Sequence, residues 1–219
     1  EVVTGSLSPY QLAEEILNDA SANVPTEINR FIRNIIAFKS ADIDTDLRSA
    51  EEKLGLEKMF TEIILPVLEK IGELWQVNTI SIGHEHQFSN ILRAFIIEKT
   101  NLLKVTPNKD KVILFLREGE YHELALLFYN YLLKKRGYDC HYLGQSFPVG
   151  EFQQIAQAIK PSYVFTSVTA KISSEDMLAF FNEIISVIPS GELYVGGYQA
   201  CALGKNLPKS IHLIRDFQD

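Results

Sequence analysis

Lys111-Val112-Ile113-Leu114-Phe115-Leu116-Arg117-Glu118-Gly119-Glu120-Tyr121-His122-Glu123-Leu124-Ala125 is the stretch on which the fold turns. Thr106-Pro107-Asn108-Lys109-Asp110 precedes it with turn chemistry. Lys111–Leu116 is a short apolar run with β-branched residues, which predicts a strand. A polar loop follows, and then a helical pattern over about His122–Lys135.

Downstream the alternation continues. Tyr138–Leu143 predicts a strand, Val149–Ile159 a helix, Tyr163–Val168 a strand and Ser174–Val187 a helix. Leu193–Val195 and Ile211–Ile214 predict two further strands. A βα alternation of this kind implies a parallel, doubly wound sheet with helices on both faces.

Upstream the period is helical throughout. Ser8-Pro9-Tyr10-Gln11 is a capping-box start, followed by Leu12, Ile16 and Leu17. A second helix is expected over Pro25–Phe38 and a shorter, polar one over Thr45–Leu54. The fourth runs from Leu56 to Trp75 on a three- and four-residue spacing, with Pro66 inside it as a possible kink. The fifth spans about Ile82–Leu103. The expected organisation is a two-part α/β chain: a helical bundle over residues 1–104, then a doubly wound sheet over 105–219.

Composition narrows the function classes. The chain has 219 residues, 46% of them hydrophobic and 22% charged, with net charge −7. The bundle holds 16 acids against 10 bases, the sheet half 12 against 11. Neither carries the basic footprint of a nucleic-acid binder. The one basic cluster, Lys134-Lys135-Arg136, falls at an expected helix C-terminus, where cations suit the dipole. No apolar run reaches the roughly 18 residues of a membrane span, and residues 1–20 show no signal-peptide pattern. Cys140 and Cys201 form no CxxC pair, so a reducing cytoplasm is the expected compartment. The chain begins at Glu1, not Met, which suits a piece of a longer protein.

Ligands of open parallel sheets bind outside the carboxyl ends of the strands. Those ends carry Glu118–His122, then Leu143-Gly144-Gln145-Ser146-Phe147-Pro148, Ser167-Val168-Thr169 and Gly196-Gly197. No GxGxxG, P-loop or GxSxG pattern accompanies them. A carboxylate two residues before a histidine can orient the ring for metal ligation; an acid near a helix start can equally serve the dipole. In the bundle, Trp75 is in phase with the core stripe, which favours packing. His86 projects about 120° from the Leu92 stripe, toward solvent or a cleft. His84 and His86, about 200° apart, cannot chelate one ion. Glu85 beside them can serve the helix dipole.

Two motifs carry a resemblance across essentially the whole chain. Trp75 with Glu85-His86 is similar to W-x9-E-H, and Glu120-Tyr121-His122-Glu123-Leu124-Ala125 is similar to the cobalamin signature E/D-x-H-x-x-G. Together they resemble the cobalamin-binding light-sensing domain of MerR-type transcriptional regulators, the CarH/LitR class. The resemblance implies a flavodoxin-like second half of the cobalamin-binding type. It implies His122 as lower cobalt ligand, Glu120 orienting it and Ser167 next in that chain. Gly196 and Gly197 would admit the nucleotide tail, with Thr169 in the later signature. Trp75 would cap the adenosyl group, Glu85 would contact it, and His86 would take the upper cobalt position after photolysis. Adenosylcobalamin is the expected cofactor, with methylcobalamin also possible. The resemblance further implies a homo-tetramer that binds DNA through a domain preceding Glu1, and no enzymatic activity. Ala125 stands at the signature glycine and Thr169 where many cobalamin enzymes carry Leu. These departures leave open a cofactor-free oligomerisation or interaction domain, and the shared layout leaves open a corrinoid methyl carrier.

Overall fold

The computed structural model describes residues 26–76, 78–203 and 207–215. The helix expected from Ser8 lies outside these residues. The chain divides into two units, Glu1–Phe95 and Ile96–Asp219.

The first unit is helical. In α1 (Thr26–Ile36), Ile28, Phe31, Ile32, Ile35 and Ile36 are buried, one apolar stripe at helical spacing. The expected short polar helix begins earlier than Thr45: α2 spans Ser40–Met59, and its helical backbone breaks at Gly55, where the sequence places the end of one helix and the start of the next. It buries Ile43, Leu47 and Ala50 together with Asp46, whose carboxylate meets Arg30 Nε at 2.7 Å and Asn34 Nδ2 at 2.8 Å. The partners of Asp46 come from α1, so its charge is matched where a hydrophobic pattern would have shown only a gap. Gly55 interrupts the helical backbone at φ +75°, a conformation open to glycine without a Cβ penalty.

After α2 the chain makes a wide π turn over Phe60–Ile64, closed by the Leu65 N–H on the Phe60 carbonyl. It falls one residue ahead of Pro66, which has no N–H to give, so the irregularity expected at Pro66 takes this form. Helix α3 then spans Leu65–Gln76 and α4 spans Ile82–Asn101. Phe88, Leu92, Phe95 and Ile96 form the buried stripe of α4.

The second unit holds β1 (Lys111–Arg117), α5 (Leu124–Lys135), β2 (Asp139–Phe147), α6 (Phe152–Ile159), β3 (Tyr163–Ser167), α7 (Ser174–Val187), β4 (Glu192–Gly196), α8 (Tyr198–Ala202) and β5 (Ile211–Leu213). All strands are parallel in the order β2-β1-β3-β4-β5, the flavodoxin-like arrangement. Alternate residues face opposite sides. Ile113, Phe115, Val164, Leu193 and Val195 pack with Phe152, Met177, Phe181 and Ile184. Val112, Leu114 and Leu116 pack with Leu126 on the other side. Strands β1, β2 and β4 extend beyond their apolar runs, while β3 and β5 stop one residue short of theirs. Edge strand β2 extends four residues past Leu143 because its pairing with β1 is broken by register shifts after Leu114 and Phe115. The five-residue α8 is too short for its sequence to show a helical period.

No described helix is long and apolar enough to cross a membrane.

Candidate functional site

Strand order reverses between β1 and β3, since β1 leads outward to β2 and β3 to β4. The crevice outside the carboxyl ends of these two strands is where an open sheet receives ligands. The Glu118–His122 loop leaves β1 there, and Thr169-Ala170 follow β3.

Glu120 ties the two loops together. Its side chain is fully buried. One oxygen, Oε2, accepts the backbone N–H groups of Thr169 (2.8 Å) and Ala170 (2.7 Å). The other, Oε1, accepts the His122 backbone N–H at 3.1 Å and lies 2.5 Å from His122 Nδ1. Burial alone pushes this carboxyl up. The hydrogen bonds from His122 and from the Ala170, Thr169 and His122 N–H groups outweigh it and hold the pKa at about 2. Glu120 is therefore an anion at neutral pH. An anionic acceptor on Nδ1 keeps the ring proton there and places the lone pair on Nε2. The imidazole itself is 61% exposed.

The loop is braced from behind. Gly119, at φ +78°, donates its N–H to Ser146 Oγ at 3.1 Å, and the Ser146 N–H donates to the Glu120 carbonyl at 3.0 Å. Ser146 itself has φ +50°. Glu123, also buried, accepts the Tyr142 hydroxyl at 2.6 Å. These braces come from β2, Tyr142 within its apolar run and Ser146 in the extension beyond it, so the sequence pattern of the first βα turn could not reveal them. The Ser146-Phe147-Pro148 run was the available signal.

Ser167 does not occupy the place expected for it. The buried oxygen Oε2 of Glu120 is filled by main-chain N–H groups two and three residues further on. Ser167 ends β3 with its hydroxyl toward the glycine pair. The two glycines differ. At Gly197 φ is +94°, and a Cβ would stand 2.5 Å from the Val168 carbonyl oxygen. The protein's own chain demands that glycine. At Gly196 the nearest atom to a Cβ is Ser167 Oγ at 4.0 Å. Nothing among the described residues requires a missing side chain there. Ala125 lies half-buried in the first turn of α5 with ordinary helical backbone, where a methyl group favours the helix.

The helical unit presents a second carboxylate–imidazole pair. His86 Nδ1 lies 2.6 Å from Glu85 Oε2, and Ser89 Oγ donates to Glu85 Oε1 at 2.6 Å. The His86 side chain is 65% exposed. Trp75 corrects the packing expectation: it is 49% exposed at the last turn of α3, while its neighbour Leu74 is buried. The helix ends one residue later, so the stripe that periodicity extrapolates has no core left to enter.

Comparison with known proteins gives these residues a context. Residues 27–97 match the family model described as the B12 binding domain. The chain is 28% identical over 144 residues to the HTH-type transcriptional repressor CarH of Myxococcus xanthus, covering 65% of this chain and 48% of that protein. It is 22% identical over 171 residues to the HTH-type transcriptional repressor CarA of the same organism, covering 78% and 58%. The chain thus spans about half the length of the curated relatives it matches. The monomethylamine corrinoid protein of Methanosarcina barkeri aligns over 75% of this chain and 80% of its own, with TM-score 0.58 and 14% identity, which shows a shared fold.

Proposed function

We propose that this chain, which carries a B12 binding domain similar to the matching part of CarH, is a cobalamin-dependent sensor with His122 as the axial nitrogen ligand of the metal. The observation that carries the reading is the Glu120–His122 pair. A fully buried anion at Nδ1 leaves the Nε2 lone pair on a largely exposed imidazole. The pair would offer one imidazole nitrogen to a metal carried by the cofactor. Gly196, whose glycine identity the fold does not need, supports close passage of a large ligand along β4.

A bound adenosylcobalamin supplies a cobalt–carbon bond that visible light can break. The chain's own residues bind and orient. Glu120 fixes the His122 tautomer, and the Thr169 and Ala170 N–H groups fix Glu120. Glu85 fixes the same tautomer in His86. Trp75, Glu85 and His86 would hold the group carried on the metal, and His86 would supply a nitrogen to the metal once light had removed that group. Light sensing, MerR-type regulation, a homo-tetrameric dark state and the absence of enzymatic activity complete the reading. In a regulator of this kind DNA contact belongs to a helix-turn-helix segment, and these 219 residues do the sensing in the cytoplasm.

The test is retention of a corrinoid. The protein is incubated in the dark with adenosylcobalamin, desalted, and its visible spectrum recorded before and after green light. A retained chromophore with a light-dependent change supports the reading, and H122A must lose the lower-ligand signature. W75A, E85Q and H86A must bind in the dark but alter the spectrum of the light product. A colourless protein after desalting overturns the proposal.

A further inference from the structure

We propose that His84 is a positioning residue that closes the N-terminus of α4 and so fixes the backbone that presents Glu85 and His86. Ser81 precedes the helix, and His84 is the third residue inside it. The Ser81 backbone N–H donates to His84 Nδ1 at 3.1 Å, and Ser81 Oγ lies 2.9 Å from the same nitrogen. In return the His84 backbone N–H donates to the Ser81 carbonyl at 3.1 Å. In a capping box the third helical position supplies a Glu or Gln oxygen to the N-cap N–H. Here an imidazole nitrogen takes that part. The Ser81 N–H can only donate, so accepting it puts the lone pair on Nδ1 and the ring proton on Nε2, a buried atom with no hydrogen-bond partner among the described residues; the Ser81 carbonyl, 3.2 Å from Nδ1, is then served by the His84 N–H.

The ring is also wedged. His84 is only 9% exposed, and its centroid lies 4.1 Å from that of Phe38 at an interplanar angle of 34°. Phe38 belongs to the turn between α1 and α2 and holds φ at +53°. One turn along α4, Gln87 donates to Ser40 Oγ at 2.8 Å, at the start of α2. His84 and Gln87 thus fasten one side of α4 to the α1–α2 turn. Glu85, His86 and Ser89 bond among themselves next to these two residues. A buried histidine that only filled space would need no acceptor aimed at Ser81. A leucine would pack against Phe38 and leave the Ser81 N–H without its partner.

The importance of Glu85 and His86 rests on the proposed function; the cap itself does not, and the two are tested apart. Amide hydrogen exchange is measured by NMR on the cofactor-free chain in wild type, H84L and H84Q. In H84L the Ser81 amide must exchange about tenfold faster, with Phe88–Phe95 unchanged. H84Q, which restores an acceptor at the same position, must recover the protection. Equal Ser81 protection in all three proteins, or no recovery in H84Q, overturns the proposal. If H84L does not fold, H84E decides: a carboxylate at this position must raise Ser81 protection above wild type, and a fall below it overturns the cap. On corrinoid-loaded protein, H84L must change the spectrum of the light product and H84Q must restore it. If wild type retains no corrinoid, the cofactor reading fails while the exchange result still stands.

Discussion

Glu120→Gln is the perturbation that the site geometry makes most informative. The substitution keeps size and shape but removes the charge. The amide oxygen still accepts from Thr169 and Ala170, as Oε2 does. The amide NH2 then falls where Oε1 was, facing the His122 backbone N–H and the ring. Two donors now oppose each other, and the side-chain NH2 is matched only if the ring proton moves from Nδ1 to Nε2. Loss of the charge-assisted bond costs about 1.5–3 kcal/mol, and the unmatched donor about 1 kcal/mol more. The descent of Glu120 from 4.5 to about 2 corresponds to roughly 3 kcal/mol of differential stabilisation, of the same order. At roughly 2–4 °C per kcal/mol for a chain of this size, E120Q should melt about 5–15 °C below wild type. Long-range proton–nitrogen NMR of the cofactor-free protein should show the His122 ring changing tautomer, and corrinoid affinity should fall about 10- to 100-fold. If E120Q melts with wild type and His122 keeps its tautomer, the reasoning about Nε2 is wrong.

The glycine pair should separate fold from binding. Gly197→Ala should destabilise the cofactor-free protein by about 3 kcal/mol or more, from its φ of +94° and the contact with Val168. Gly196→Ala should change its melting by less than about 1 kcal/mol yet weaken corrinoid retention in the same desalting assay. Acid titration should expose Glu120 as well. Its folded pKa is depressed, so its stabilisation is complete above the unfolded value of 4.5 and is lost as pH falls toward about 2. The stability gap between wild type and E120Q, measured by urea unfolding, should be flat above about pH 5 and shrink below it.

The sheet half was legible because its strands are nearly continuous apolar runs punctuated by turn residues. Ser174–Val187 appears with the expected bounds, since Ser173 caps it through the Asp176 N–H and its apolar period is unbroken. Legibility ended where tertiary partners decide. Asp46 looks polar in sequence but is buried against Arg30 and Asn34, and the polar Ser40–Asp44 stretch, which buries only Ile43, hides the start of α2. Trp75 continued a periodic stripe past the point where the core stops. At the site, the Glu-x-His spacing was readable, but what holds Glu120 was not. Its partners on the far loop are main-chain N–H groups, which any residue supplies. The place given to Ser167 comes from the family resemblance, which specifies side chains and not main-chain donors. His84 reads in sequence as half of an impossible chelate, although its position three residues after Ser81 is the spacing of a helix cap.

The central claim is that the Nε2 atom of His122 occupies an axial position of cobalt. Electron paramagnetic resonance of the protein loaded with corrinoid in the Co(II) state reads that atom directly. With histidine labelled by nitrogen-15, the axial superhyperfine pattern should change from a triplet to a doublet, and H122A should lose the histidine-derived splitting. A triplet that persists under the label would mean that the cofactor's own base, or no protein imidazole, sits below the metal, and would contradict the account.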